Sequence, residues 1–366
     1  MVSSIKNFFA NLLTLVAIAV GVLLVGVGYS DRLPPDVHPL LACAGMAMPV
    51  ALVLNLAMLL VMLAVRWRRA WIPLAAFCIA YPAIRIFLPL RLPAPDDTPR
   101  QECLRLMSYN VCGYGGNFKY DHGLDSVTAY VMDRDIDVVC IQEEQSTKFK
   151  PLERWKELYP HNDTVVICSN KAGRNIIGIH SRLPIVRKER IAYESATNGS
   201  VAYHLQWGND TIIVINNHLE STHLTVEQRT EYQEILRGKK DRQGAEEELT
   251  TLIKRLGESM VKRAAEAEAV HRYVEEHRGR PAIVCGDFND TPISYVRHTV
   301  AQGMTDCFVE AGCGLGLSYN RNGFNFRIDH ILCSEQLTPL SCEVDAKMDA
   351  SDHYPMICSM KMGNKP

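Results

Sequence analysis

Residues 283–290 read IVCGDFND, an apolar run that ends in a glycine followed by acidic and amide side chains. The β-branched apolar residues predict a buried strand, and Gly286 permits the chain to turn tightly at its end. Asp287 and Asn289 then project to the same side, because side chains alternate along extended backbone. A carboxylate and an amide placed in this way can hold a water molecule and a phosphoryl oxygen together. The motif therefore predicts a hydrolytic site at the end of a strand.

Two other apolar runs end in a similar way. The run 104–109 is followed by Asn110, and the run 137–141 leads into Glu143. An acid that emerges from such an apolar strand needs a partner, and carboxylate or amide oxygens suit a hard cation such as Mg²⁺ or Mn²⁺. Taken singly, a turn-forming asparagine and a solvent-exposed glutamate would explain these residues equally well.

Histidines and further acids follow the same pattern. His218 lies just past another apolar run, Asp329 stands at the start of a further one, and Asp352 with His353 precedes the last. An imidazole that a second carboxylate orients can act as a general base or can stabilise charge in a transition state. A lone histidine after a strand is more often structural, so these residues argue for chemistry only as a set.

The same part of the chain alternates short strand-like runs with few helical patterns. The predicted strands are 104–109, 137–141, 165–168, 176–180, 201–206, 211–216, 282–285, 328–333 and 356–360. Helical spacing is found at 124–133 and 264–277, and Thr225 and Thr291 are predicted N-caps of two more helices. Many strands with few helices favour a two-sheet α+β sandwich.

In this order, the segments closely resemble those of the endonuclease/exonuclease/phosphatase superfamily, the group of DNase I-like folds. The resemblance covers about 104–362 and is most specific in the Gly-Asp-Phe-Asn of 286–289 and the Ser-Asp-His of 351–353. It implies a four-layer α/β/β/α sandwich. It also implies a phosphoester hydrolase that activates water with a divalent metal ion, Mg²⁺ or Mn²⁺.

The resemblance further implies roles for single residues. Three match metal-binding positions of the family: Asn110, Glu143 and Asp352. Five match catalytic positions: His218, Asp287, Asn289, Asp329 and His353. Cys112 stands where some members carry an aspartate, which argues against a second metal contact from that place. His330 is expected to be structural.

The first 92 residues have a different composition. Three stretches are charge-free apart from Arg85: 8–29, 39–65 and 70–90. About 20 apolar helical residues span the hydrocarbon core of a bilayer. A signal peptide or three buried soluble helices fit this succession poorly. We expect a membrane anchor of about three transmembrane helices at 1–92, a linker at 93–103 and a catalytic domain at 104–362.

Charges beside these stretches predict the orientation. Arg66, Arg68 and Arg69 lie between the second and third stretches, and Lys6 precedes the first. By the positive-inside rule these flanks are cytoplasmic, so three spans leave the catalytic domain on the other side. We therefore expect a multi-pass protein of the cell inner membrane whose catalytic domain faces the periplasm or the exterior. Without the third span the orientation reverses.

Charge also bears on the substrate. Residues 101–366 carry 31 Lys and Arg against 37 Asp and Glu. A domain that grips nucleic-acid backbone usually has a basic surplus, so a lipid head group or another small phosphoester is favoured. Two alternatives stay open: a DNA or RNA endonuclease or exonuclease of the same fold, and a catalytically silent binding module. No protein partner is inferred.

Overall fold

The N-terminal part of the chain is helical and apolar. The computed structural model describes residues 2–91, 98–114, 123–144, 153–170, 173–195, 197–222, 242–321 and 324–363. Its first helices are α1 (Val2–Gly28), α2 (Pro39–Ala42), α3 (Met48–Arg66) and α4 (Trp71–Phe87). Two segments, Asn7–Gly28 and Pro39–Arg69, are long and apolar enough to cross a membrane, judged by length and composition only. The 17-residue α4 is shorter, so two of the three predicted spans meet the length requirement.

Small residues bring α1 and α4 together. A side-chain carbon at Gly28 would lie 3.0 Å from Ala83 Cβ, and one at Gly21 would lie 3.1 Å from Ala76 Cβ. Close approach at small residues is the usual way in which apolar helices pack without a polar interface. The helices therefore form one bundle, and its interior includes Leu24.

The first sheet contains the strand that follows the helical part. Its strands are β1 (Cys103–Asn110), β2 (Val138–Gln142), β3 (His161–Asn170), β4 (Gly173–Ser181), β13 (Leu337–Val344) and β14 (Met356–Met362). Their order is β13-β14-β1-β2-β4-β3. Only β1 and β2 among these neighbours are parallel, so both end at the same edge of the sheet.

The second sheet repeats this plan. Its strands are β5 (Ile185–Arg190), β6 (Gly199–Trp207), β7 (Asp210–His218), β8 (Ala282–Asp287), β9 (Met304–Asp306) and β12 (Asp329–Ser334). Their order is β5-β6-β7-β8-β12-β9, with β7 and β8 as its parallel pair. The short strands β10 (Tyr319–Arg321) and β11 (Phe324–Phe326) form a separate hairpin.

The two sheets pack face to face, with helices on both outer faces. Leu106 of the first sheet and Val214 of the second belong to the core between them. The covering helices are α5 (Gly123–Asp133) and α6 (Glu153–Leu158) on the first sheet, and α7 (Arg242–Glu276) and α8 (Tyr295–Val300) on the second. The predicted four-layer α/β/β/α sandwich is confirmed. A further short helix, α9 (Cys307–Ala311), follows β9.

Each predicted strand overlaps an observed one, but two helix predictions need correction. The pattern at 264–277 is the end of the 35-residue α7, whose first half is the charged stretch. Thr291 is not an N-cap, because its hydroxyl faces the Ile293 carbonyl at 3.4 Å. Ser294 caps α8 instead and accepts a hydrogen bond from the Arg297 amide at 3.2 Å. The predicted cap Thr225 lies outside the described residues.

The helical bundle is docked on the catalytic domain. A Cβ at Gly45 would lie 1.8 Å from the Ile293 carbonyl oxygen, so the two backbones touch there. Glu310 of α9 pairs with Arg85 at 2.7 Å and with Arg91 at 2.8 Å. Arg85, the one charged residue of the third apolar stretch, thus has its partner in the catalytic domain.

We predict that Gly45→Ala separates the bundle from the domain. The added methyl group has no room without a shift of backbone, so the thermal unfolding midpoint of the full chain in detergent should fall by several degrees. Gly26→Ala is the matched control, because nothing lies within 4 Å of a Cβ at that position. Equal midpoints for the two variants would show that the close contact at Gly45 contributes no stability.

Candidate active site

The candidate site forms where the carboxyl ends of the two parallel strand pairs meet. Asn110 lies opposite Gln142 in the β1–β2 pair, and His218 lies opposite Asp287 in the β7–β8 pair. Parallel strands deliver their last side chains to one edge, which is why post-strand residues far apart in sequence converge here. Asp329, the first residue of β12, lies opposite Asp287 from the other side.

A buried polar contact joins the two sheets directly beneath the site. Gln142 Nε2 of the first sheet donates to Asn216 Oδ1 of the second at 2.6 Å. Asn216 Nδ2 returns two hydrogen bonds to the first sheet, to the carbonyls of Ile141 at 3.1 Å and Gly178 at 2.9 Å. Both amide side chains are completely buried. These contacts set the spacing between the sheets.

Asn110 connects two carboxylates of the site. Its Nδ2 donates to Glu143 Oε1 and to Asp287 Oδ2, each at 3.1 Å. Its Oδ1 accepts from the backbone amide of Cys112 at 3.0 Å, which identifies that atom as oxygen. The amide therefore faces the site with its NH₂ group, in a position to orient the carboxylates rather than to coordinate a metal ion through oxygen as the sequence predicted.

Two site residues have left-handed backbone. Glu143 has φ +56° and Asn289 has φ +51°. This region is ordinary for asparagine but unfavourable for glutamate, by on the order of 1–3 kcal/mol. The turn leaves the Glu143 side chain 32% exposed in a pocket that it shares with the buried His218, Asp287 and His353. Asn289 Nδ2 donates to the Leu219 carbonyl at 2.9 Å, and its amide donates to Asp287 Oδ1 at 2.8 Å.

A buried chain of three side chains, Asp–His–Asp, runs through the site. His353 Nδ1 lies 2.8 Å from Asp329 Oδ2, and His353 Nε2 lies 3.6 Å from Asp287 Oδ2. Burial alone would lower the pKa of His353, but the two carboxylates raise it to about 10. Burial raises the pKa of Asp287 to about 6, although the positive imidazole opposes this. The chain thus offers a cation beside a carboxylate that titrates near neutral pH.

His218 faces the same carboxylates from the opposite wall. Its Nε2 lies 3.7 Å from Glu143 Oε1 and 3.8 Å from Asp287 Oδ2. Asn175 Nδ2 donates to the Thr197 carbonyl at 2.7 Å and lies 3.0 Å from His218 Nδ1. Asn175 Oδ1 lies 3.4 Å from the same Nδ1, so the tautomer of the ring depends on which Asn175 atom bonds to it, and in either tautomer Nε2 points into the site.

Two sets of side chains could hold a metal ion. Asp287, Asp329 and His353 offer ligand atoms within 4.8 Å of one another. The short hydrogen bond of His353 Nδ1 to Asp329 makes this set a better proton path than a metal cage. Glu143 and Asp352 fit a hard cation better. Desolvation raises the pKa of Glu143, and the nearby negative charge of Asp352 raises it further, so a cation would relieve both.

The site opens into a pocket of about 170 Å³. Six predicted site residues line it: Glu143, His218, Asp287, Asn289, Asp352 and His353. Asn110 and Asp329 stand behind them and hold them through the hydrogen bonds described above. His330 is buried away from the pocket and bonds to the Asp290 carbonyl at 3.1 Å, as expected of a structural histidine, and burial lowers its pKa to about 4.

Other residues at the site carried no sequence signal that singled them out. Asn175 sets the tautomer of His218 from within β4. Arg321 pairs with Asp352 at 3.2 Å from the β10–β11 hairpin, and the Tyr319 ring meets His353 edge-on with centroids 5.0 Å apart. None follows an apolar run at its strand end, which was the signal that revealed the others.

Comparison with known families agrees with this geometry. Residues 107–353 match the profile described as the endonuclease/exonuclease/phosphatase family. Residues 10–87 match a profile described as a domain of unknown function (DUF8431). A search of curated proteins finds no match to the chain.

Solved structures share the fold at low sequence identity. An endonuclease/exonuclease/phosphatase family protein from Bacteroides thetaiotaomicron has a TM-score of 0.50 and 18% identity, with 72% of this chain and 98% of that chain covered. The human Nocturnin catalytic domain with bound sulfate has a TM-score of 0.51 and 14% identity, with 72% of this chain and 95% of that chain covered. D. rerio TDP2 complexed with a single-strand DNA product has a TM-score of 0.50 and 14% identity, with 71% of this chain and 99% of that chain covered. At these identities the likeness establishes the fold alone.

We predict that Asn216→Leu weakens the whole domain. The substitution removes three buried hydrogen bonds, one from Gln142 Nε2 and two to the carbonyls of Ile141 and Gly178, so the free energy of unfolding should fall by about 3 kcal/mol. Denaturant titration of the full chain in detergent measures this. Asn209→Leu, at an exposed turn beyond the same sheet, should change it by less than about 0.5 kcal/mol. A loss no larger than that of the control would mean that the buried contact is dispensable.

Proposed function

Because this chain belongs to the endonuclease/exonuclease/phosphatase family, whose members are phosphoester hydrolases, we propose that it is a membrane-anchored phosphoester hydrolase dependent on Mg²⁺ or Mn²⁺. One observation carries the proposal. The Asp329–His353–Asp287 chain and the Glu143 carboxylate line the same pocket, with His218 within 4 Å of both Glu143 and Asp287.

Glu143 and Asp352 would hold the metal ion. Both carboxylates line the pocket, the charge of Asp352 raises the pKa of Glu143, and the pair supplies the hard oxygen ligands that Mg²⁺ and Mn²⁺ prefer. When bound, such an ion supplies positive charge to the phosphoryl oxygens of the substrate. Asn110 keeps Glu143 and Asp287 at a fixed separation through its NH₂ group.

Different side chains of the protein then accept the proton and stabilise the developing charge. Asp287, with its pKa near 6, accepts a proton from the attacking water at neutral pH. His353 remains protonated because Asp329 and Asp287 stabilise its charge, so it stabilises negative charge that develops on the phosphoryl group. His218 donates from Nε2 to a phosphoryl oxygen on the other side. Asn289 holds Asp287 in place through its backbone amide.

A nucleic-acid substrate is less well supported. Among the described residues that line the pocket, Arg263 is the one Lys or Arg, and it bonds to Asp290 at 3.3 Å and to the Glu220 carbonyl at 2.9 Å. Little positive charge is therefore available for a polyanion. A silent binding module is disfavoured because the complete set of predicted polar groups meets in one place.

We also propose that the catalytic domain faces away from the cytoplasm. Arg66 donates to the Ala10 carbonyl at 3.1 Å and Arg69 to Thr14 Oγ1 at 2.9 Å, so the arginine-rich turn lies at the N-terminal end of the bundle. Arg85 and Gly45 contact the catalytic domain at the other end. By the positive-inside rule the first end is cytoplasmic.

We predict that Glu143→Gln abolishes most hydrolysis by the full chain. Loss of the charged ligand should lower kcat/KM by a factor of roughly 10²–10³ or more, and EDTA should mimic it in the wild type. The panel holds plasmid DNA, short RNA, a lipid phosphodiester and small phosphomonoesters. Glu157→Gln, an exposed residue of α6, is the control and should keep full activity. EDTA-resistant turnover, or no turnover on any substrate, would refute a metal-dependent hydrolase.

The side of the membrane on which the catalytic domain lies is tested with Cys313, which is exposed on that domain. A membrane-impermeant maleimide should label it in spheroplasts that express the full chain, without lysis. Cys313→Ser should remove that signal. Labelling of Cys313 only after lysis would place the domain in the cytoplasm.

A further inference from the structure

The candidate pocket has two unlike walls. One carries the polar groups described above. The other is apolar and is formed chiefly by residues away from the strand ends, Met46, Leu252, Leu256 and Met260. Phe326, the last residue of β11, and Ile328 add to it. A site for a small hydrophilic phosphoester has no need of a wall of this kind, because apolar surface stabilises a ligand only by removing the ligand's own apolar surface from water.

Part of the apolar wall belongs to the membrane anchor. Met46 lies in the short helical segment Cys43–Ala47, two residues before α3 begins. This segment is held against α7: Cys43 Sγ lies 3.4 Å from Met260 Sδ. A Cβ at Gly257 would lie 2.9 Å from Pro39 Cβ, so α7 and the start of α2 also touch. The pocket is therefore completed by the anchor.

The same wall continues toward the membrane-facing helices. Leu40 and Leu41 of α2 are 62% and 49% exposed, and they lie at the start of the second apolar segment, Pro39–Arg69. Leu252 and Leu256 are each partly exposed, one helical turn apart on α7, and both face the pocket. Exposed leucines of the bundle and leucines that line the pocket thus lie on two helices, α2 and α7, which touch at Pro39 and Gly257.

Resting on the proposed function, we propose that the substrate is an amphiphilic phosphoester, a lipid whose phosphoryl group meets Asp287 and His353 while its hydrocarbon chain lies against Met46, Leu252, Leu256 and Met260. The anchor then serves the reaction as part of the binding site. This also assigns a role to the part of α7 around Leu252 and Leu256, which line the pocket while Lys254 and Glu258 are exposed.

The test compares esters that differ only in chain length. The full chain in phospholipid nanodiscs with Mg²⁺ is given 4-nitrophenyl alkyl phosphates from methyl to octyl, and the corresponding alkyl phosphate monoesters. In the diesters, water oxygen bonds to phosphorus and gives its proton to Asp287, while the bond to the 4-nitrophenolate breaks and the aryl oxide leaves with its electron pair. We expect kcat/KM to rise with each methylene by up to about fourfold.

A variant pair separates pocket binding from simple partition into the bilayer. Partition favours long chains equally for every protein, whereas Leu256→Gln should reduce the octyl-to-methyl ratio of kcat/KM at least about fivefold. Leu252→Gln should act in the same direction, and thermal unfolding confirms that each variant is folded. Ile253→Gln is the control, since Ile253 is 38% exposed on the same helix and does not line the pocket.

The outcomes distinguish the two proposals. Hydrolysis of the methyl esters with a ratio that neither leucine variant changes overturns the amphiphilic substrate but leaves the hydrolase intact. No hydrolysis of any ester overturns the hydrolase itself. A reduced ratio in both leucine variants, with the wild-type ratio in Ile253→Gln, supports the lipid substrate.

Discussion

The hydrogen bonds between Gln142 and Asn216 are the contact on which the site most depends. They join the two sheets through completely buried amide side chains, below the Asn110–Asp287 hydrogen bond that also crosses between the sheets. Apolar packing tolerates small slips, but a buried amide pair permits one arrangement, because any slip leaves donors and acceptors unpaired. Each sheet has one parallel pair that ends at this level. Fixing the sheets here therefore fixes the strand ends that carry Asn110, Glu143 and Asp287.

With the strand ends fixed, the surrounding turns must direct side chains into a small space. Glu143 adopts a left-handed backbone to do so, at a cost that a merely structural turn would avoid by using glycine. Asp287 and Asp329 are buried acids, and the imidazole of His353 between them makes their burial tolerable. The strain and the buried charge lie in the same few residues, and the rest of the domain supplies the stability that offsets them.

The sequence predicted the strand-end chemistry well because that chemistry leaves a local pattern: an apolar run, then a polar residue. The central strands and Asn110, Glu143, His218, Asp287 and Asn289 were found in this way. Asp329, Asp352 and His353 stand before their strands and were singled out as a set of acids with an imidazole, and the roles of all eight residues come from the family resemblance and stay predictions. Asn175 and Arg321 leave no such pattern, since their roles come from tertiary contacts with His218 and Asp352. Thr291 was predicted as a helix cap because Pro292 after it suits the first position of a helix, yet α8 begins at Tyr295 with Ser294 as its cap.

The contribution of the anchor to the pocket is the feature that depends least on neighbouring residues in the sequence. Met46 is separated from Met260 by most of the chain, and in sequence it reads as one more apolar residue before a span. Its position matters because a lipid confined to the bilayer approaches in two dimensions, with its head group at a fixed height. An enzyme whose anchor forms one wall of the pocket holds that pocket at the same height. Binding energy from the chain then positions the phosphoryl group against Asp287 and His353, which is how remote contacts are converted into rate.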